Sequence, residues 1–234
     1  MRVLAVTAHP DDVEILCAGT LARYAQAGND VTICNATSGD RGSFTLSMKD
    51  IGRVRDEEAR LSAGVIGARY ICLGFHDCGL VASDLEARTR FIDLFREVRP
   101  DVVLTHHPDD YHADHQAVSR LVQDASFMAG VPLLETAAPN FDHSVPVIYM
   151  DTLAGLNFTP EEFVDITAVI GLKREMLAKH QSQVRWTMEH DGIDLVEFME
   201  TMGRFRGIQC GARFAEAFVP KRVWLRTARE RLLP

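Results

Sequence analysis

The chain has 234 residues, 47% of them hydrophobic and 25% charged, proportions that exclude a disordered, collagen-like or fibrous polypeptide. Thirty-three acids against 25 bases leave a formal charge of −8, which disfavours nonspecific binding to nucleic acid or anionic lipid. Apolar runs such as Val102–Leu104 and Val147–Met150 are far shorter than the roughly 18–20 residues needed to span a bilayer, and the stretch between Arg2 and His9 is too short for a secretory signal. Cys17, Cys34, Cys72, Cys78 and Cys210 form no CxxC pair; they read as buried or free thiols and place the protein in a reducing cytoplasm.

In chain order, Val3–Val6 is a buried strand, and Ile15–Ala27 is a helix closed by Gly28. Val31–Cys34 is the second strand, a polar loop runs from Thr37 to Asp50, and a helix covers about Ile51–Ile66. Tyr70–Leu73 is a short strand, and Leu85–Val98 has helical spacing that Pro100 ends. Asp101–Thr105 is the next buried strand, and a helix follows from near His115. This alternation predicts an α/β fold: a doubly wound, mostly parallel sheet with helices on both faces. The second half is less regular, with a strand at Val147–Met150, helices near Ile166–Gln183 and Ile193–Met202, and a final strand near Val223–Arg226. With no repeat, low-complexity tract or linker, residues 1–234 read as a single domain.

Four of the nine histidines, His106, His107, His112 and His115, fall within ten residues. They sit in the segment that follows the fourth strand, with Asp109, Asp110 and Asp114 among them. A second cluster, His9-Pro10-Asp11-Asp12, follows the first strand. Either cluster alone could be a capped turn. Both, however, lie where a doubly wound sheet places its ligand, beyond the strand C-termini.

His9 and Asp12 can converge across the strand-to-helix turn, and His115 can join them as a third ligand of a divalent metal. Three protein ligands leave positions open for water, as catalytic zinc requires. Zinc would bring the pKa of a bound water to about 7. Asp11 then suits a general base that later protonates a leaving amine. His112, with Asp114 close enough to hold its ring and favour the imidazolium, suits an oxyanion donor. Together these roles spell amide or ester hydrolysis. Two histidines and a carboxylate also make the site of iron(II) oxygenases, so Fe2+ remains the rival metal. A nucleotide-binding role is disfavoured, because no G-x-G-x-x-G follows the first strand.

The ordered motifs resemble the PIG-L/LmbE family of zinc-dependent N-deacetylases. They are Ala8–Asp12 with Glu14 and Gly19–Leu21, Thr37–Gly42, Arg55 with Glu58-Ala59, Leu73–Asp77, Arg99–Val103, Asp110–His115, Lys173, His180 with Ser182-Gln183, and Gly211 with Ala215–Phe218. The resemblance implies a Rossmann-like fold and removal of an acetyl group from an N-acetylglucosamine-type sugar or sugar conjugate. It implies one Zn2+ per chain on His9, Asp12 and His115, with Asp11 as base and acid and His112 as transition-state stabiliser. Arg55 and His180 become candidate substrate contacts, and Tyr111 and His76 would sit at the sugar-facing rim. Ala113 and Tyr111 stand where many members have proline and arginine. Gln183, Arg185 and Trp186 are further possible sugar contacts. A zinc amidase acting on a non-sugar amide is the other alternative, and a homo-oligomer is the expected assembly.

Overall fold

The computed structural model describes residues 1–224 and 231–234. Its strands are β1 (Arg2–Thr7), β2 (Asp30–Thr37), β3 (Arg69–Phe75), β4 (Val102–Thr105), β5 (Val147–Met150), β6 (Glu162–Asp165) and β7 (Ala215–Pro220). They form one sheet in the order β3-β2-β1-β4-β5-β7-β6. The first five run parallel, and β7 pairs antiparallel with both β5 and β6. The α-helices are α1 (Asp12–Leu16), α2 (Ala18–Gln26), α3 (Met48–Val65), α4 (Leu85–Val98), α5 (Ala113–Met128), α6 (Ile170–Leu177), α7 (Gln181–Asp191) and α8 (Leu195–Cys210).

Both faces of the sheet are covered, which is why its central strands read as unbroken apolar runs. Successive strand side chains point to opposite faces. Val3 and Ala5 accordingly join one core with Leu21 of α2, Met176 of α6 and Met199 of α8, while Leu4 and Val6 join another with Phe91 and Phe95 of α4 and Leu121 of α5. The expected doubly wound α/β architecture is therefore present. β1 lies between β2 and β4, so the chain leaves it to one side and returns on the other. The crevice of this switch point opens beyond the C-terminal ends of β1 and β4.

The departures fall where long-range contacts decide local structure. The expected Ile15–Ala27 helix starts earlier, at Asp12, and is broken at Cys17. There the Glu216 carboxylate of β7 accepts hydrogen bonds from the Gly19 and Thr20 backbone N–H groups and from Thr20 Oγ1, satisfying the open N-terminus of α2. Lys173 of α6 donates to the same carboxylate at 2.5 Å, and both side chains are buried. The expected Ile166–Gln183 helix divides into α6 and α7 around His180, and the Ile193–Met202 helix extends to Cys210. β6 went unanticipated: Glu-Phe-Val-Asp carries no strand signal without β7 beside it. For the expected strand at Val223–Arg226, Val223 and Trp224 are not in a strand, and Leu225 and Arg226 lie outside the described residues; the last described strand is β7.

Candidate active site

The turn after β1 is built around a backbone that L-residues seldom adopt. Asp11 has φ 124° and ψ −24°, a strained conformation of the kind that concentrates at functional sites. The turn is pinned by the His9 backbone N–H donating to Asp12 Oδ2 at 2.7 Å and by Asn35 Nδ2 donating to the His9 carbonyl at 2.9 Å. Asp12 is thereby fixed in the interior at the start of α1, with Asp11 next to it.

Asp12 is the hub of the site. His115 Nε2 lies 3.2 Å from its Oδ1, and His9 Nδ1 lies 3.4 Å from its Oδ2. The other nitrogen of each ring faces a further carboxylate. His9 Nε2 is 3.2 Å from Asp114 Oδ2, and His115 Nδ1 is 3.1 Å from Asp110 Oδ2, at an angle too oblique for a straight hydrogen bond. His106, fully buried, stacks on His115 with centroids 3.8 Å apart. Its Nε2 accepts from the Ala8 N–H at 3.0 Å and sits 3.2 Å from Asp12 Oδ2. Two overlapping sets, His9–His112–His115 and Asp12–His106–His115, bring potential ligand atoms within 4.8 Å of one another.

Electrostatics follow from this concentration of acids. Burial works against charge on His9 and His115, but the facing carboxylates prevail and raise them to about 10 and about 9. Burial likewise opposes ionisation of Asp12, yet His115 and His106 hold it well below the usual carboxylate range. Asp11 is pushed up to about 6, chiefly by burial and against the pull of Arg55. Burial, together with His9 and His115, lowers His112.

The residues fit a divalent metal. Two imidazoles each turn one nitrogen to a shared carboxylate, and each has a second carboxylate behind its other nitrogen, the arrangement that fixes the tautomer and orientation of a metal-ligating histidine. His9, Asp12 and His115 are thus brought together as the sequence suggested. Asp110 was not anticipated, because its part depends on the fold of the turn between β4 and α5. His106 stacks on His115 and approaches Asp12, which makes it a packing partner of the site as well as a member of the second possible ligand set.

The expected pairing of the Asp114 carboxylate with His112 is not what the structure shows. That carboxylate faces His9 and accepts from the Cys78 N–H at 2.6 Å. It is the Asp114 backbone N–H that reaches His112 Nδ1, at 3.2 Å, because His112 is the N-cap of α5. With Nδ1 accepting, a neutral His112 carries its proton on Nε2, so it can act as a donor without becoming an imidazolium.

Arg55 is buried beneath the turn after β1. Its Nη2 donates to the Pro10 carbonyl at 2.6 Å and its Nη1 to the Gly39 carbonyl at 3.1 Å, with Asp11 Oδ1 at 3.4 Å and Asp77 Oδ2 at 3.7 Å. Gly39 has φ +69°, and a Cβ there would collide with this guanidinium. The arginine edges the cleft with Nη1 and Nη2 engaged by the Gly39 and Pro10 carbonyls, while its buried Nε has no hydrogen-bond partner among the described residues. His180 does not reach the cleft, which corrects the expectation of a substrate contact. It is fully buried, 3.3 Å from Glu14 Oε1, and it acts on Asp11 only through the field.

A cleft of about 500 Å³ opens over the site. Tyr111 is exposed on its rim, and Gln183 and Trp186 also line it, whereas His76 is engaged with Asp40 and Arg185 faces elsewhere. Leu153, Leu156, Ile193 and Phe198 complete the lining from the second half of the chain, where no local motif announces them.

Residues 4–126 match the PIG-L family, described as GlcNAc-PI de-N-acetylase. A diacetylchitobiose deacetylase of Thermococcus kodakarensis is 30% identical over 94% of this chain and 83% of its own length. A 1D-myo-inositol 2-acetamido-2-deoxy-alpha-D-glucopyranoside deacetylase of Rhodococcus erythropolis is 27% identical over 78% of this chain and 81% of its own. Among solved structures, the N,N'-diacetylchitobiose deacetylase of Pyrococcus horikoshii superposes with a TM-score of 0.82 at 25% identity, covering 94% of this chain and 83% of that one. GalB, a 4-carboxy-2-hydroxymuconate hydratase of Pseudomonas putida KT2440, matches the fold with a TM-score of 0.81 at 24% identity, covering 97% and 100%. The fold thus carries more than one reaction, and the site rather than the topology selects among them. No described helix is long and apolar enough to cross a membrane. On the extent of the family match and the full-length relative, the chain belongs to the PIG-L family of de-N-acetylases.

Proposed function

We propose that this enzyme hydrolyses the acetamide of an N-acetylglucosamine-type sugar, releasing acetate and the free amine, with a divalent metal, zinc by ligand preference, held by His9, Asp12 and His115. The observation that carries the reading is the double support of both imidazoles, Asp12 on one nitrogen and Asp114 or Asp110 on the other. The names of the relatives supply the substrate class. When bound, zinc supplies a more acidic water and a positive charge beside the amide carbonyl.

The chain's own groups account for the proton movements. Asp11 accepts a proton at its carboxylate as the water oxygen bonds to the acyl carbon. His112 directs its Nε2–H to the carbonyl oxygen, which gains negative charge in the tetrahedral arrangement. Asp11 then returns the proton to the nitrogen as the C–N bond breaks, so the amine departs neutral and the acid formed loses its remaining proton to solvent, leaving acetate. Arg55 acts through Asp11 and is a positioning residue: it holds the Pro10 carbonyl and faces the carboxylate, keeping the strained turn in place. Asp114 is likewise a positioning residue, acting through His9.

The test is acetate release from N,N'-diacetylchitobiose and an acetamido-sugar inositol by zinc-loaded and iron(II)-loaded protein. Asp11→Asn should retain the metal and lose about 10²–10⁴-fold in kcat. An Asp11→Asn enzyme as active as its parent would remove the base role.

A further inference from the structure

We propose that the cleft rim formed by Tyr111, Leu156, Trp186 and Ile193 is a subsite for an apolar aglycone, aryl or hydrocarbon, carried by the acetamido sugar. This deepens the functional reading above and rests on it. The cleft draws its polar lining from the turns after the first four strands, from Arg55 and from Gln183, Thr187 and Asp191 of α7, and its apolar lining largely from residues 153–156, Trp186, Ile193 and α8. Tyr111 is 68% exposed, Leu156 60% and Ile193 43%, so these side chains meet solvent rather than the core. Apolar groups gathered and exposed around a site mark a binding surface.

The turn that presents Leu156 is built rather than loose. Ala154 (φ 59°) and Asn157 (φ 57°) adopt left-handed backbone on either side of it, the kind of strain found at ligand clamps. Thr152 Oγ1 donates to the Leu156 carbonyl at 2.5 Å, and the Gly155 N–H donates to the Thr152 carbonyl at 3.0 Å. Arg206 lies against Gly155, 2.7 Å from where a Cβ would stand, and is itself locked to Asp151 at 2.6 and 2.9 Å. On the facing side Trp186 lies 4.3 Å from Phe44 and 4.8 Å from His190 between ring centroids, the latter pair nearly parallel at 15°. These rings tie α7 to the loop after β2 and fix the indole in the cleft lining.

Volume and chemistry point to the same occupant. The cleft, at about 500 Å³, falls in the range of about 300–1,000 Å³ that encloses a ligand of drug size, well beyond an acetyl group and its sugar nitrogen. The functional reading fixes the acyl group as acetyl, which leaves the rim to whatever the sugar carries. Arg41 and Asp191, the charged side chains that line the cleft outside the buried polar site, are of opposite sign and give no net preference for an ionic substituent.

Binding of the deacetylated products separates this proposal from catalysis. Calorimetric titration of the zinc-loaded full chain with glucosamine and with phenyl β-glucosaminide should show the phenyl glycoside binding about tenfold tighter. Leu156→Asp and Ile193→Asp, each at an exposed position, should bring that ratio close to one. Equal affinity of the two ligands for the unsubstituted protein would overturn the subsite. Hydrolysis of N-acetylglucosamine, its phenyl glycoside and N-octanoylglucosamine, run in parallel, tests the underlying reading. A preference for the octanoyl amide over the phenyl glycoside would move the apolar group to the acyl side and overturn the aglycone assignment. Tighter phenyl binding without turnover of any acetamido sugar would uphold an apolar subsite while sinking the deacetylase.

Discussion

The segment from β1 to α5 and the segment from β5 to β7 contribute to one cleft in different ways. The first supplies the reacting groups from two short turns, each complete within a few residues: His9 to Asp12, and Asp110 to His115. The second supplies walls and braces through residues far apart in sequence, such as Glu216 on Thr20 and Ser182 on Glu58. Chemistry that must be held within a fraction of an ångström is packed into local turns on rigid strand ends. Enclosure tolerates more variation and comes from elements that dock.

Disrupting the docking should give the largest effect. Glu216→Gln removes the charge facing Lys173 inside the protein and one acceptor serving the start of α2. Breaking a buried pair in this way costs about 3–5 kcal/mol. The expected outcome is a large drop in unfolding free energy by denaturant titration, with metal content of the folded fraction preserved. A loss of metal at unchanged stability would instead mean that the second segment helps to form the reacting centre itself.

Next in size is the brace that joins the turns. Arg55→Lys keeps a cation near Asp11 and Asp77 but cannot serve the Pro10 and Gly39 carbonyls with a planar fork. We expect kcat to fall by about tenfold, the cost of a slightly misplaced catalytic group, with KM and metal content little changed. A rise in KM at constant kcat would return Arg55 to the role of a direct substrate contact, which its place in the sequence motif had suggested.

The carboxylates behind the histidines should act on metal affinity rather than on turnover. Asp114→Asn and Asp110→Asn should each weaken metal affinity by about 10–100-fold, read by competition with a chelator. The two need not be equal: Asp114 also accepts from the Cys78 N–H and thereby ties down the turn after β3, whereas Asp110 also accepts from the His112 N–H and braces its own turn. Unchanged affinity in both variants would remove the basis for choosing His9 over His106 as the partner of Asp12 and His115.

How much of this was readable from the sequence follows the same division. The parallel strands were legible because burial on both faces leaves uninterrupted apolar runs, and His9, Asp12 and His115 because their chemistry and their position at strand ends coincide. Asp114 was placed in the site but on the wrong ring: spacing brings its carboxylate near His112, while the cap geometry of α5 turns it to His9. His180 was misread for a related reason, since a motif match says nothing of depth and the residue is sealed against Glu14. The break at Cys17 and strand β6 could not be read at all, because each is created by a partner about 50 to 200 residues away.

Tyr111 tests the boundary between the two kinds of residue with the smallest expected change. It stands in the second histidine turn, yet its side chain is exposed and its ring meets His112 edge-on at 6.0 Å. If it belongs to the reacting centre, Tyr111→Phe should lower kcat through loss of the hydroxyl. If it belongs to the rim, that substitution should change little, and Tyr111→Ala should raise KM a few-fold by removing apolar contact area, at roughly constant kcat. The exposure of the ring favours the second outcome. A drop in kcat on loss of the hydroxyl alone would show that the catalytic turn reaches further into the rim than its hydrogen bonds indicate.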